Sequence, residues 1–119
     1  MAVNLPSGFI GLARSGDGLS FTRAAGPVAG GAVFGPSEQA GGGAFDDLHV
    51  GIGDVQWDAA AKKWVMYYFG GDGSYGPTPY GKARGIFMKI GSAESADGVN
   101  WARRPGVLLD KGAWWAGLG

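Results

Sequence analysis

Residues 10–21 read IGLARSGDGLSF, and residues 90–101 read IGSAESADGVNW. At a shift of eighty positions, Ile10 aligns with Ile90, Gly11 with Gly91, Ala13 with Ala93 and Ser15 with Ser95. Asp17 likewise aligns with Asp97, Gly18 with Gly98, Arg23 with Arg103 and Gly26 with Gly106, while Phe21 faces Trp101. A chain of 119 residues suits one small domain or part of a larger one. An internal repeat on that scale decides its architecture before any single residue does. Each copy reads as a hairpin: an apolar strand, a Ser-x-Asp-Gly turn, and a strand with an aromatic. Glycine takes the positive φ that a tight turn demands, and Asp bonds nearby backbone.

The rest of the composition agrees with short strands. The 25 glycines and 6 prolines make up about a quarter of the chain, close to a low-complexity composition. Five Trp, four Tyr and six Phe argue against disorder, so much of the glycine is turn chemistry. Ten basic and ten acidic side chains cancel, which points away from nucleic acid and anionic membrane surfaces as partners. No apolar run reaches the length of a membrane span, MAVNLPSGF lacks the regions of a signal peptide, and no compartment is assigned. With no cysteine and one histidine, neither a disulfide framework nor a structural zinc site is expected, and no cofactor is indicated.

Two further strands are predicted between the copies. HVGIGDVQWD (49–58) is short and rich in Val and Ile. KWVMYYFGG (63–71) is apolar on both faces, with Trp64, Met66 and Tyr68 one way and Val65, Tyr67 and Phe69 the other. Such a strand is expected to be buried on both sides, between stacked sheets. AAAKK between them is too short for a stable helix. The pattern predicts an all-β fold in which 48–104 form one four-stranded antiparallel sheet. Residues 8–24 form the outer hairpin of a preceding sheet and 105–119 start the next, with loops at 26–47 and 70–85. Four-stranded sheets repeated along a chain describe a β-propeller, here a partial one.

GDVQWDAAAKKWVMYYFGG, followed by IGSAESADGVNWARRPGVLL, resembles the five-bladed propellers of the arabinanase, levansucrase and invertase superfamily, glycoside hydrolases of families 32, 43 and 68. The likeness covers roughly 8–115 and is nearest to plant and algal members with a similar FD-LHVG-GDV…MYYFGG run. It implies a carbohydrate ligand and three carboxylates meeting at the mouth of a central funnel. Glycosidic cleavage needs two carboxyl groups, one protonated to donate to the leaving oxygen and one ionised to attack or activate water. Asp54 stands where the family has its third carboxylate, the transition-state stabiliser or acid-tuning group. Gly53 and Val55 depart from the family's RDP or APD, so position matches and motif does not. Nothing in the chain matches the nucleophile or the general acid.

Asp54 is expected on the same strand face as Val50, Ile52 and Gln56, lining a wet funnel or held by structural hydrogen bonds. His49, just before the apolar run, is a candidate contact for a sugar hydroxyl or simply a loop residue. Asp46 and Asp47 are candidate ligand contacts or a turn cap; in an extended segment they point opposite ways. Tyr75 and Tyr80, in GGDGSYGPTPYGKARG, offer rings for the apolar face of a sugar or anchor their own loop. The glycine-rich stretches at 30–43 and 70–76 lack the Lys-Ser/Thr and helix of a phosphate cradle. Trp57, Trp64, Tyr67, Tyr68 and Trp101 are expected to pack between sheets.

A five-bladed ring needs well over twice this length, so partners are expected: the remaining blades of a longer chain, or copies of this one. Three functions follow, the first two from different classes and the third from a different family. One is a glycoside hydrolase-like propeller with an incomplete acidic site, inactive alone. Another is a non-catalytic carbohydrate-binding or protein-interaction module. The third is a sialidase-like Asp-box propeller, although Asp17-Gly18 and Asp97-Gly98 lack the residue that separates Asp and Gly in that motif.

Overall fold

The computed structural model describes residues 1–4, 8–37, 45–46, 48–72, 75–84, 88–106 and 108, without the side chains of 4, 75–76 and 83–84. Its strands are β1 (Ala2–Asn4), β2 (Ile10–Arg14), β3 (Thr22–Ala24), β4 (His49–Asp58), β5 (Lys63–Gly71), β6 (Tyr75–Thr78), β7 (Gly81–Arg84), β8 (Met88–Ser95) and β9 (Ala102–Arg103). They form a first sheet of order β1-β2-β3, a second of order β4-β5-β8-β9, and a separate β6-β7 hairpin. All pairings are antiparallel. The fold is all-β, and the sheets do not close on themselves.

The four-stranded sheet expected over 48–104 is present, and β4 and β5 run over the stretches read as strands. Two segments differ from expectation. Within 70–85, read as a loop, Thr78 and Gly81 close a hairpin in which the Thr78 hydroxyl donates to the Gly81 carbonyl at 2.7 Å. Ala2–Asn4 form an unforeseen strand because β2 offers them a ladder, Ala2 opposite Leu12 and Asn4 opposite Ile10.

The Ser-x-Asp-Gly turns are built the same way. Ser15 Oγ donates to Asp17 Oδ1 at 2.9 Å, and that oxygen accepts the N–H groups of Leu19 and Ser20 at 2.8 and 2.9 Å. In the other hairpin, Ser95 Oγ donates to Asp97 Oδ1 at 3.0 Å, which accepts from Val99 and Asn100 at 2.9 and 2.8 Å. Gly18 and Gly98 both sit at φ 77°, left-handed backbone that costs a residue with a Cβ.

Register fixes which side chains share a face. Opposite β5, Ile52 pairs with Tyr68 and Asp54 with Tyr67, so Gly53 is the extra residue of a β-bulge. The bulge breaks the two-residue alternation. Val50, Ile52, Val55 and Trp57 share the face of Tyr68, Met66 and Trp64; Asp54 and Gln56 share that of Tyr67 and Val65. Asp54 therefore does not lie on the face of Val50 and Ile52, as strict alternation required.

The core fills the space between the sheets. Ile10, Val33 and Phe34 from the first side meet Val50, Met66, Tyr68 and Ala93 from the second, all buried. Complete burial of side chains such as Ile10 and Met66 contributes about 1.5–3 kcal/mol each. This inner face of the second sheet is sealed only in part. Trp57 and Trp64, expected to be packed, remain 49% and 37% exposed at the β4–β5 turn, where their rings meet edge-on. The outer face carries Tyr67, Phe69 and Ile90 half-buried and Met88 exposed, with Val65 and Ser92 buried, so β5 is covered more fully on its inner face than on its outer one.

Candidate functional site

Asp54 is exposed on β4, and its Oδ2 accepts the Gln56 amide at 2.8 Å. β4 is an edge of its sheet; Gly8 meets that edge where the Val50 N–H donates to the Gly8 carbonyl at 2.9 Å. Bulges re-aim side chains at sheet edges, and here the bulge turns a carboxylate out of an apolar strand into water. His49 opens the same strand on the same face, half-buried and opposite Gly71. Charge balance on this face is local. Glu94 is bridged by Lys63 at 2.9 Å and Arg104 at 3.1 Å, and these hydrogen bonds, Lys63 first, hold its carboxyl below the usual range.

Asp46 is elsewhere. Its carboxylate is buried at the junction of the sheets, on the inner-face side, where it accepts the Tyr68 hydroxyl at 2.8 Å and Arg103 Nε at 2.8 Å. The Arg103 guanidinium lies 4.2 Å over the Phe34 ring and donates through Nη2 to the Gly35 carbonyl. Phe34 in turn meets Tyr68 edge-on with ring centroids 4.8 Å apart. Desolvation first, and then the bond to Asp46, push the Tyr68 hydroxyl well above its ordinary pKa. Tyr68 thus remains a donor, and the cluster is a polar lock within an apolar core. Asp46 and Asp54 are served by opposite faces of one sheet and do not converge on a ligand.

The remaining candidates are dispersed. Tyr80 is 99% exposed at the β6–β7 turn. Tyr75 pairs with Arg84 through its backbone, while its side chain lies outside the described residues, as does Asp47. Among the described residues, no group of His, Asp and Glu could hold a metal ion. Asp17 and Asp97 spend their carboxylates on their own turns.

Two features escaped sequence reasoning. The Tyr68–Asp46–Arg103 lock spans distant parts of the chain, and its one sign in the sequence is the alignment of Arg103 with Arg23. The second is a cleft of about 390 Å³ between the sheets, walled by Leu12, Val55, Trp64 and Trp101, with Arg14 and Asp97 beside them. It exists because the first sheet covers the second incompletely.

Comparison of the chain with protein-family models, curated proteins and solved structures finds no match.

Proposed function

We propose that this chain is a carbohydrate-directed β-propeller unit, one full blade and parts of its neighbours, that contributes a single carboxylate to a composite glycoside hydrolase-like site. The observation that carries the reading is Asp54: an exposed carboxylate, set by a bulge on an edge strand and oriented by the Gln56 amide. Support for the blade comes from a four-stranded antiparallel sheet stacked on a second sheet, with matching Ser-x-Asp-Gly hairpins in both. A carboxylate at such a place stabilises positive charge developing at a sugar ring, or tunes an acid supplied by another blade. One carboxylate does not complete the pair that glycosidic cleavage needs. The chain alone therefore binds sugar without turnover.

Calorimetric titration with a panel of neutral oligosaccharides tests this. Asp54→Asn is expected to weaken binding about tenfold, the loss of one charge-assisted hydrogen bond, without altering circular dichroism. Hydrolysis of aryl-glycosides by the isolated chain, abolished in Asp54→Ala, would show that the acidic site is complete within it. Absence of binding to every sugar would remove the carbohydrate reading.

A second reading, a non-catalytic carbohydrate-binding module, is favoured by the exposed Trp57–Trp64 pair beside the inter-sheet cleft. Indole rings suit the apolar face of a pyranose or furanose. In that case Trp57→Ala abolishes binding and Asp54→Asn leaves it intact. The Asp-box reading has least support, since Asp17 and Asp97 are occupied within their turns.

A further inference from the structure

Ile10 and Ile90 hold matching places in two hairpins with the same turn chemistry, but their surroundings differ. Ile10 is fully buried against the second sheet. Ile90 pairs with Phe69 on the outer face of the second sheet and is only half-buried. The segment following each hairpin repeats the contrast. Phe34 donates its N–H to the Ile10 carbonyl and is 2% exposed; Leu108 donates to the Ile90 carbonyl at 2.8 Å and is 56% exposed. Met88 on that outer face is also 43% exposed, while Val65 and Ser92, nearer the β4–β5 turn, are buried.

What seals Ile10 and Phe34 is a surface made of Ala93, Tyr68 and Arg103. The first sheet carries its counterpart on the side turned away from the second. Ala13 stands for Ala93, Arg23 for Arg103, and Val3, opposite Gly11, for Tyr68, opposite Gly91, although Arg23 Nη2 here donates to the Gly30 carbonyl of its own chain at 2.8 Å. The chain thus bears one face of each kind, and the packing that joins its own sheets supplies the geometry for joining two chains.

We infer that the outer face of the second sheet docks a second copy of this chain through the outward side of that copy's first sheet. The contact is heterologous, with Ile90 and Leu108 of one copy against Ala13 and Arg23 of the next, and it closes into a ring or continues as a filament. This rests on the blade reading above and not on its carbohydrate chemistry, so mass measurements and sugar binding can fail independently.

Light scattering after size exclusion, at tens of micromolar and above, is expected to give multiples of the 12.2 kDa chain mass. Ile90→Lys, with unchanged circular dichroism, is expected to raise the dissociation constant at least about tenfold. The chain has no cysteine of its own, so engineered cysteines report orientation. Mixing Arg23→Cys chains with Leu108→Cys chains and a short bismaleimide cross-linker is expected to give mixed dimers, because the Arg103 guanidinium lies over Phe34 at the equivalent contact and the two side chains set a separation longer than a disulfide spans. A 12.2 kDa mass at every concentration overturns the inference, as does Leu108→Cys linking only to itself.

Discussion

The Tyr68 hydroxyl donates to the Asp46 carboxylate at 2.8 Å, inside the seam between two β-sheets. The same Oδ2 accepts from Arg103, whose guanidinium covers Phe34 on the other side of the seam. An apolar interface of modest size thereby gains a directional component, since only one stacking of the sheets satisfies all these groups.

Removing members of this cluster is expected to cost unequal amounts. Tyr68→Phe loses one hydrogen bond to a buried charge, about 1.5–3 kcal/mol. Arg103→Ala strands the Asp46 carboxylate and removes the lid over Phe34. About 3 kcal/mol is expected, the lower end for a broken buried pair, because the Arg103 side chain is a third exposed. Urea unfolding followed by tryptophan fluorescence measures both. Equal stability of Arg103→Ala and wild type would mean that the lock contributes nothing.

Close packing at the same seam makes Gly91 intolerant. A Cβ there would stand 2.6 Å from Phe45 Cζ and 2.9 Å from Tyr68 Cζ. Gly91→Ala is expected to destabilise by about 1–3 kcal/mol through overpacking. Gly16→Ala, where a Cβ meets nothing within 4 Å, is the control.

Acid should loosen the hairpins late. Backbone N–H groups of Ser20 and then Leu19, with the Ser15 hydroxyl, lower the Asp17 carboxyl from 3.8 to about 2. Asp97 is lowered further by Asn100, through its N–H and its side chain, with Val99 and Ser95. A depressed carboxylate contributes stability above its unfolded pKa and loses it as pH falls through the folded one. The hairpins' contribution is therefore intact above about pH 4 and declines toward pH 2. Thermal midpoints between pH 5 and pH 2 check this: Asp97→Asn should flatten the decline, and an unchanged pH profile would contradict it.

On the exposed carboxylate the expectation reverses. Asp54→Asn and Gln56→Ala should change stability by no more than about 0.5 kcal/mol, because neither side chain enters the core. A larger loss in chemical denaturation would give Asp54 a structural role.

Much of the second sheet was legible because its signals are local. Apolar runs bounded the strands later described as β4 and β5, and Ser-x-Asp-Gly marked both turns. Features that depend on distant pairing were not. Gly53 forms a bulge only because β5 offers one residue where β4 offers two, and that extra residue moves Asp54 to the other face. β1 needs β2 beside it. The Asp46–Arg103 bond joins residues 57 apart in sequence, so Asp46 resembled a turn cap or a ligand contact when seen beside Asp47 alone.

Stacking of the two sheets is the claim on which the lock and the matched faces both rest. Nuclear Overhauser contacts between the aromatic protons of Phe34 and Tyr68 test it most directly. The ring centroids lie 4.8 Å apart, so strong cross-peaks are expected in the folded chain. Sharp, well-dispersed spectra without those cross-peaks would contradict it.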